Sequence, residues 1–258
     1  MASTLTVLTW NMCGVERWNG CAGTGSAAEK AAELVRTVRT QRADAVLLQE
    51  ACERTAGRLR EERNGESTRW QVAFEPYRTP TGAAVRCTRG SGRAGIALAV
   101  RGRLEDVRYV AAPQPHDDIR RGVLCAARAG DGVELCTAHL TPHFAATPGP
   151  DPRPAQLAAL AAAADASPAA VFGGDLNTLP PKAEGGVMPS GVWPSTLYDR
   201  YRECGQHGRR GGPATPTHAG GFKIDYLFTD LRRQGCRTLG TAFSDHAMLL
   251  MRVEPHHV

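Results

Sequence analysis

Ala170-Val171-Phe172-Gly173-Gly174-Asp175-Leu176-Asn177 runs a short apolar strand through two glycines into a polar pair. Side chains two apart on an extended segment point the same way, so Asp175 and Asn177 can address one ligand. The same arrangement recurs along the chain. Asn11 follows the apolar run Leu5 to Trp10, and Glu50 closes Ala45-Val46-Leu47-Leu48-Gln49. His139 closes Val133 to Ala138, Asp225 sits inside Ile224 to Phe228, and Asp245-His246 precede Ala247 to Val253. Each has an ordinary explanation when taken singly. A carboxylate at a strand end is more often solvated or capping than catalytic, Asn11 suits a turn, and a lone histidine is more often structural. Six such placements against apolar strands form a pattern.

Around these points the chain alternates short strands with a few helices, and it has no repeat or low-complexity linker. Leu5 to Trp10 and Asp44 to Gln49 predict strands. Between them a turn from Gly20 to Gly25 leads to Ser26, which caps a helix reaching about Arg42, with Ala31, Leu34, Val35 and Val38 at helical spacing. Cys52 to Glu62 predicts a charged surface helix. Trp70 to Phe74, Ala94 to Val100, Leu104 to Val110, Val123 to Arg128 and Val133 to His139 predict strands, the last two joined through Gly130-Asp131-Gly132. Pro154 to Asp165 reads as an alanine-rich helix and Ala169 to Phe172 as a buried strand. Phe222 to Phe228, Arg237 to Ala242 and Ala247 to Val253 complete about ten strands. Helices join some of them and hairpins join others, which argues against a doubly wound parallel sheet and for an α+β layout. Gly82 to Arg93, Pro142 to Pro152 and Pro181 to Pro194 read as long loops.

The 258 residues suffice for one large domain or two small ones. Hydrophobic residues at 42% and charged ones at 22% exclude a disordered chain. No apolar run approaches the ~20 residues that cross a bilayer. The formal charge of +5 rests on 28 arginines and only three lysines. Arginine matches phosphate bidentately, although a high-GC coding bias explains the same excess. Arg86, Arg89 and Arg93, with Arg120-Arg121 and Arg209-Arg210, could track a nucleic-acid backbone or be ordinary exposed loop arginines. Trp18 and Trp193 lie in loops and could meet a base, a lipid or only their own loop.

The polar set suggests a chemistry. The alternation of Ile224, Tyr226 and Phe228 predicts one core face, which puts Asp225 opposite with Lys223 and Leu227, where His246 is an available partner. Phosphate-ester hydrolysis needs a hard cation on oxygen ligands, an oriented water and donors for the phosphoryl oxygens. Glu50 and Asp245 would supply carboxylates for Mg²⁺, Asp175 could take a proton from water, and His139 or His246 could meet the growing charge. Carboxylates and amides make a thiolate or His-rich zinc site the poorer match. GxSxG and P-loop motifs are absent.

Thr9-Trp10-Asn11, Leu48-Gln49-Glu50, Thr137-Ala138-His139-Leu140, Gly174-Asp175-Leu176-Asn177, Lys223-Ile224-Asp225-Tyr226 and Ser244-Asp245-His246 resemble, in order, the motifs of the endonuclease/exonuclease/phosphatase superfamily. The resemblance covers Thr9 to Val253. It implies one domain over residues 1–258, a DNase I-like four-layer α/β/β/α sandwich of two mixed β-sheets, and a metal-dependent cleft where the strand ends meet. It further implies that Glu50 is the principal Mg²⁺ ligand, Mn²⁺ being the alternative ion, with Asn11 and Asp245 nearby. Asp175 would orient or deprotonate water, and Asn177 would hold the phosphate. His246, oriented by Asp225, and His139 would serve as the two histidines of the site, the proton donor between them left open. The His139 motif looks less like apurinic endonucleases than like the nuclease, phosphatase and sphingomyelinase branches. The expected activity is therefore a phosphodiesterase acting on DNA or RNA, as a monomer. A phosphatase or phospholipid phosphodiesterase is the alternative, and an inactive binding domain on the same fold is a third reading.

Eight cysteines remain. With Gly130-Asp131 as a two-residue turn, facing residues sum to 261, which pairs Cys125 with Cys136. Cys13 and Cys21 bracket the loop after Asn11. Such pairs point to an oxidising compartment and a secreted origin, whereas the chain as written, without an export signal at Met1 to Thr9, points to the cytoplasm.

Overall fold

A computed structural model describes residues 4–18, 20–64, 68–114, 118–142, 150–181, 192–194, 196–205 and 215–255. The chain opens with β1 (Leu5–Asn11), α1 (Ala27–Gln41), β2 (Ala45–Cys52), α2 (Glu53–Gly57), β3 (Arg63–Asn64), β4 (Thr68–Pro76) and β5 (Ala94–Arg101). It continues with β6 (Leu104–Ala111), β7 (Gly122–Arg128), β8 (Glu134–His139), α3 (Arg153–Ala164) and β9 (Ala170–Asp175). Last come α4 (Leu197–Arg200), β10 (Arg202–Glu203), β11 (Asp225–Thr229), β12 (Arg232–Leu239) and β13 (Met248–Glu254).

Two mixed sheets result, with strand orders β12-β13-β1-β2-β5-β4-β3 and β10-β11-β9-β8-β7-β6. Leu47 and Leu98 of the first sheet and Leu135 and Val171 of the second share one apolar core between them. Leu34 and Val38 of α1 cover the other face of the first sheet on Leu8, Trp10 and Val46. Leu157 and Leu160 of α3 cover the second on Phe172 and Tyr226. This is the four-layer α+β sandwich that the motifs implied.

Burial on both faces explains where the strand pattern departs from expectation. The alternation in Ile224 to Phe228 predicts one core face, yet Tyr226 and Phe228 pack on the α3 side while Leu227 lies between the sheets. A sheet covered on both sides has no polar face to show. Ser26 caps α1 as expected, in a capping box with Glu29. The helix expected from Cys52 to Glu62 is shorter, because Cys52 still pairs with Ala94 in the sheet; α2 and a 3₁₀ turn at Arg58–Glu61 follow. The loop Gly82 to Arg93 is held by bridges Arg78↔Ala84 and Arg86↔Arg93. Most of Pro142 to Pro152 and Pro181 to Pro194 lies outside the described residues.

All eight cysteines pair: Cys13–Cys21, Cys52–Cys87, Cys125–Cys136 and Cys204–Cys236. Cys125 faces Cys136 in the expected register, although Arg128 and Val133 bond around a four-residue rather than a two-residue turn. The second and fourth bridges join segments whose pairing nothing in the spacing suggested.

Candidate active site

Strand direction brings the polar residues together. β1 and β2 run parallel, as do β8 and β9, so Asn11, His139 and Asp175 end their strands and Glu50 lies close to the end of β2 on the same side. β11 and β13 run antiparallel to β9 and β1, so Asp225 begins β11 and the Asp245-His246 pair leads into β13 at that same edge. All eight expected residues, Asn177 included, are thus gathered at one mouth of the sandwich. The cleft there has a volume of about 560 Å³.

Local backbone departures aim the side chains. Glu50 sits at a register shift between β2 and β5 with φ +48°, and Asn177 has φ +48°. Such values are uncommon for residues with a Cβ, and a bulge turns one side chain out of the strand's alternation. At Gly174 a Cβ would stand 2.1 Å from the Ala138 carbonyl, so only glycine lets β9 lie this close to β8.

Asn11 is the hub. Its Nδ2 donates to Glu50 Oε1 at 3.1 Å and to Asp175 Oδ2 at 2.9 Å, while its Oδ1 accepts from the Cys13 N–H at 3.0 Å. Asp175 Oδ1 accepts from the Asn177 N–H at 3.0 Å, and Asn177 Nδ2 donates to the Leu140 carbonyl. Burial raises Glu50 to about 7 and raises Asp175 as well. His246 Nδ1 lies 2.9 Å from Asp225 Oδ2. Its Nε2 faces Asp175 Oδ2 and Asp245 Oδ1, each at 3.8 Å. Burial pushes the His246 imidazole down, but Asp225, Asp175 and Asp245 outweigh it and lift the group to about 10.

His139 is held differently. Tyr77 Oη accepts from the Glu50 N–H at 3.1 Å and lies 2.9 Å from His139 Nδ1. The phenol proton then points at Nδ1, leaving the imidazole proton on Nε2, which faces Asp175 Oδ2 at 3.4 Å. Burial, with Arg121 and His246 nearby, holds His139 well below the ordinary histidine range, so it is neutral.

Asp245 sits at the rim. His218 Nε2 is 3.2 Å from its Oδ2, and Cys13 Sγ is 3.0 Å from its Oδ1. Cys21 Sγ lies 3.5 Å from Glu50 Oε2, so the first disulfide touches both outer carboxylates. Burial opposes ionisation of Asp245, but the His218 bond and the His246 charge prevail and lower it.

Trp18, Ile119, Phe222 and Ile224 form the apolar wall, and Arg17 and Arg121 add charge. Of the arginines singled out earlier, Arg121 reaches the cleft. Arg93 pairs with Glu53, Arg120 donates to the Pro80 carbonyl, and the side chain of Arg89 and residues 209 and 210 lie outside the described residues. Trp193 is structural, packed on Tyr226 and donating to the Leu179 carbonyl. Sequence reasoning missed Tyr77 and His218. Tyr77 follows an apolar strand as the others do, but its aromatic ring counted as core. His218 belongs to no strand and carried no such signal.

The chain belongs to the endonuclease/exonuclease/phosphatase family, whose model matches residues 8–246. Its fold is similar to that of an endonuclease/exonuclease/phosphatase from Beutenbergia cavernae, with a TM-score of 0.70 at 19% identity, covering 98% of this chain and 72% of that one. The human Nocturnin catalytic domain with bound sulfate superposes with a TM-score of 0.66 at 15% identity over 96% of this chain and 92% of that one. TDP2 from D. rerio, complexed with a single-strand DNA product, gives 0.66 at 16% identity over 97% and 98%. No curated protein sequence matches the chain significantly. Among the described residues no helix is long and apolar enough to cross a membrane.

Proposed function

We propose that the chain is a divalent-cation-dependent phosphodiesterase acting on nucleic acid. The observation that carries this reading is the convergence of Glu50, Asp175 and Asp245 around the Asp225–His246 pair. Carboxylates this close favour a hard cation, and an oxygen-rich donor set suits Mg²⁺ or Mn²⁺. Glu50, His139 and Asp175 present ligand-type atoms within 4.8 Å of one another, as do His218, Asp245 and His246. Glu50 and Asp245 would hold the ion. Asn11, earlier grouped with the ligands, turns its amide nitrogen to the carboxylates, and an amide N–H cannot ligate a cation. It orients Glu50 and Asp175 instead. When bound, the cation supplies positive charge to the phosphoryl oxygens.

The chain's own groups do the rest. Asp175, with one oxygen fixed by Asn177 and the other by Asn11, directs and deprotonates the attacking water. Asn177 holds the phosphate beside it. His246 enters the reaction protonated, kept so by Asp225, and presents Nε2–H to the phosphate or leaving group. His139 is the neutral partner, and its Nε2–H donates without changing charge. The apolar wall at Trp18, Ile119, Phe222 and Ile224 suits a base beside the phosphate. The DNA product in TDP2 and the sulfate in Nocturnin support a phosphate-ester substrate in this fold. Four disulfides favour folding in an oxidising compartment and hence secretion.

Hydrolysis of plasmid DNA, RNA, sphingomyelin and a phosphomonoester, each with Mg²⁺ and with EDTA, tests the reading. Nucleic acid should be cleaved in Mg²⁺ and spared in EDTA. Glu50→Ala, Asp175→Ala and His246→Ala should each lose about 10²–10⁴-fold in kcat while remaining folded. Turnover that persists in EDTA would sink the mechanism, and cleavage of sphingomyelin alone would move the substrate to the lipid alternative.

A further inference from the structure

His218 lies where the turn preceding β11 meets the approach to β13. It forms an isolated bridge with His246, the Ala219 N–H donates to the Asp245 carbonyl at 2.8 Å, and the Ala247 N–H donates to the Thr217 carbonyl at 2.7 Å. These two hydrogen bonds, which make the bridge, pin the backbone on either side of His218 beside Asp245 and His246. Its ring is fixed as well. The Gly220 N–H donates to Nδ1 at 3.0 Å, and an imidazole that accepts at Nδ1 carries its proton on Nε2. That Nε2–H is directed at Asp245 Oδ2, 3.2 Å away.

Asp245 is confined from the other side too. Gly20 has φ +83°, and a Cβ there would stand 1.9 Å from Asp245 Oδ2. The carboxylate therefore has one oxygen engaged by His218 and closed in by Gly20. Its Oδ1 faces His246 Nε2 and the Cys13 sulfur, which carries no proton in its disulfide.

We propose that His218 is a positioning residue for Asp245: by donating Nε2–H to Oδ2 it fixes the carboxylate plane and leaves Oδ1 to bind the divalent cation. This rests on the metal-dependent reading above. Histidine also serves elsewhere as a direct metal ligand, but here its outward nitrogen bears the proton, so it acts through Asp245. Losing an outer partner of this kind typically weakens metal binding by about 10- to 100-fold.

Two substitutions separate the ring's two bonds. His218→Asn keeps an acceptor for the Gly220 N–H, as asparagine does in such turns, but stops short of Asp245. His218→Gln carries an amide donor out to where Nε2 stood. The Mg²⁺ affinity of each is read from the rise in melting temperature with added Mg²⁺, alongside kcat at saturating Mg²⁺. The expected result is Mg²⁺ affinity about 10- to 100-fold weaker for His218→Asn, near-normal affinity for His218→Gln, and kcat recovering in both at high Mg²⁺. In an Asp245→Asn background, His218→Asn should make no further difference to Mg²⁺ affinity, a control that holds even if a variant melts lower without metal. His218→Asn binding Mg²⁺ like the unmodified chain, or its effect persisting beside Asp245→Asn, overturns the proposal. An unmodified chain that shows no Mg²⁺-dependent shift instead refutes the metal-dependent reading itself.

Discussion

Tyr77 decides what His139 can do. Its phenol is shared between the Glu50 N–H and His139 Nδ1, so one hydroxyl fixes both a backbone bulge and a tautomer. A carboxylate in that place would favour a charged imidazole, as Asp225 does for His246. His139 and His246 are therefore unlike, one neutral and one cationic. Tyr77→Phe leaves the Glu50 N–H and the imidazole nitrogen without their buried partner, a loss of about 1–3 kcal/mol. A lower melting temperature and a kcat reduced at least about tenfold should follow, with substrate KM little changed. Wild-type melting and turnover in Tyr77→Phe would show that the phenol does not hold the site.

At the scale of elements, the strand ends were legible and the connections were not. Asn11, Glu50, His139, Asp175, Asp225 and His246 interrupt apolar runs, and a sheet buried on both faces makes any such interruption conspicuous. Tyr77 was hidden because an aromatic ring satisfies the same apolar pattern. His218 was hidden because its position depends on a turn meeting β13, a contact about thirty residues away that no period records. Cys125–Cys136 followed from hairpin register, whereas Cys52–Cys87 joins a strand to a loop. The bridges also differ in what they touch. Cys13–Cys21 lies against Asp245 and Glu50, while Cys125–Cys136 is enclosed in the α3-side core. Replacing either pair by alanines should cost about 2–3 kcal/mol on loop-closure grounds. Only Cys13→Ala/Cys21→Ala should also weaken Mg²⁺ activation of the folded protein. Equal Mg²⁺ dependence in the two double variants would remove the first bridge from the site.

Over the whole molecule, the site is a concentration of charge held in the core. Glu50 is raised from 4.5 to about 7 chiefly by burial. Its folded value lies above the unfolded one, so its contribution to stability is complete below about 4.5 and is lost as pH rises through about 7. The loss is on the order of 3 kcal/mol in the metal-free protein. A cation binding the ionised carboxylate reverses it. Melting in EDTA should therefore fall between pH 5 and pH 8, and the stabilisation by Mg²⁺ should grow over the same interval. A Mg²⁺ effect independent of pH would contradict this placement of Glu50. The order of the chain adds a consequence in time. Asn11 and Glu50 are made before Asp245 and His246, and β1 has no β13 to pair with until residues 248–254 exist. A chain made only as far as Asp225 holds every residue of the mouth except Asp245 and His246, and no complete site. Whatever phosphate ester it attacks is safe from it until residues 245–254 have been made.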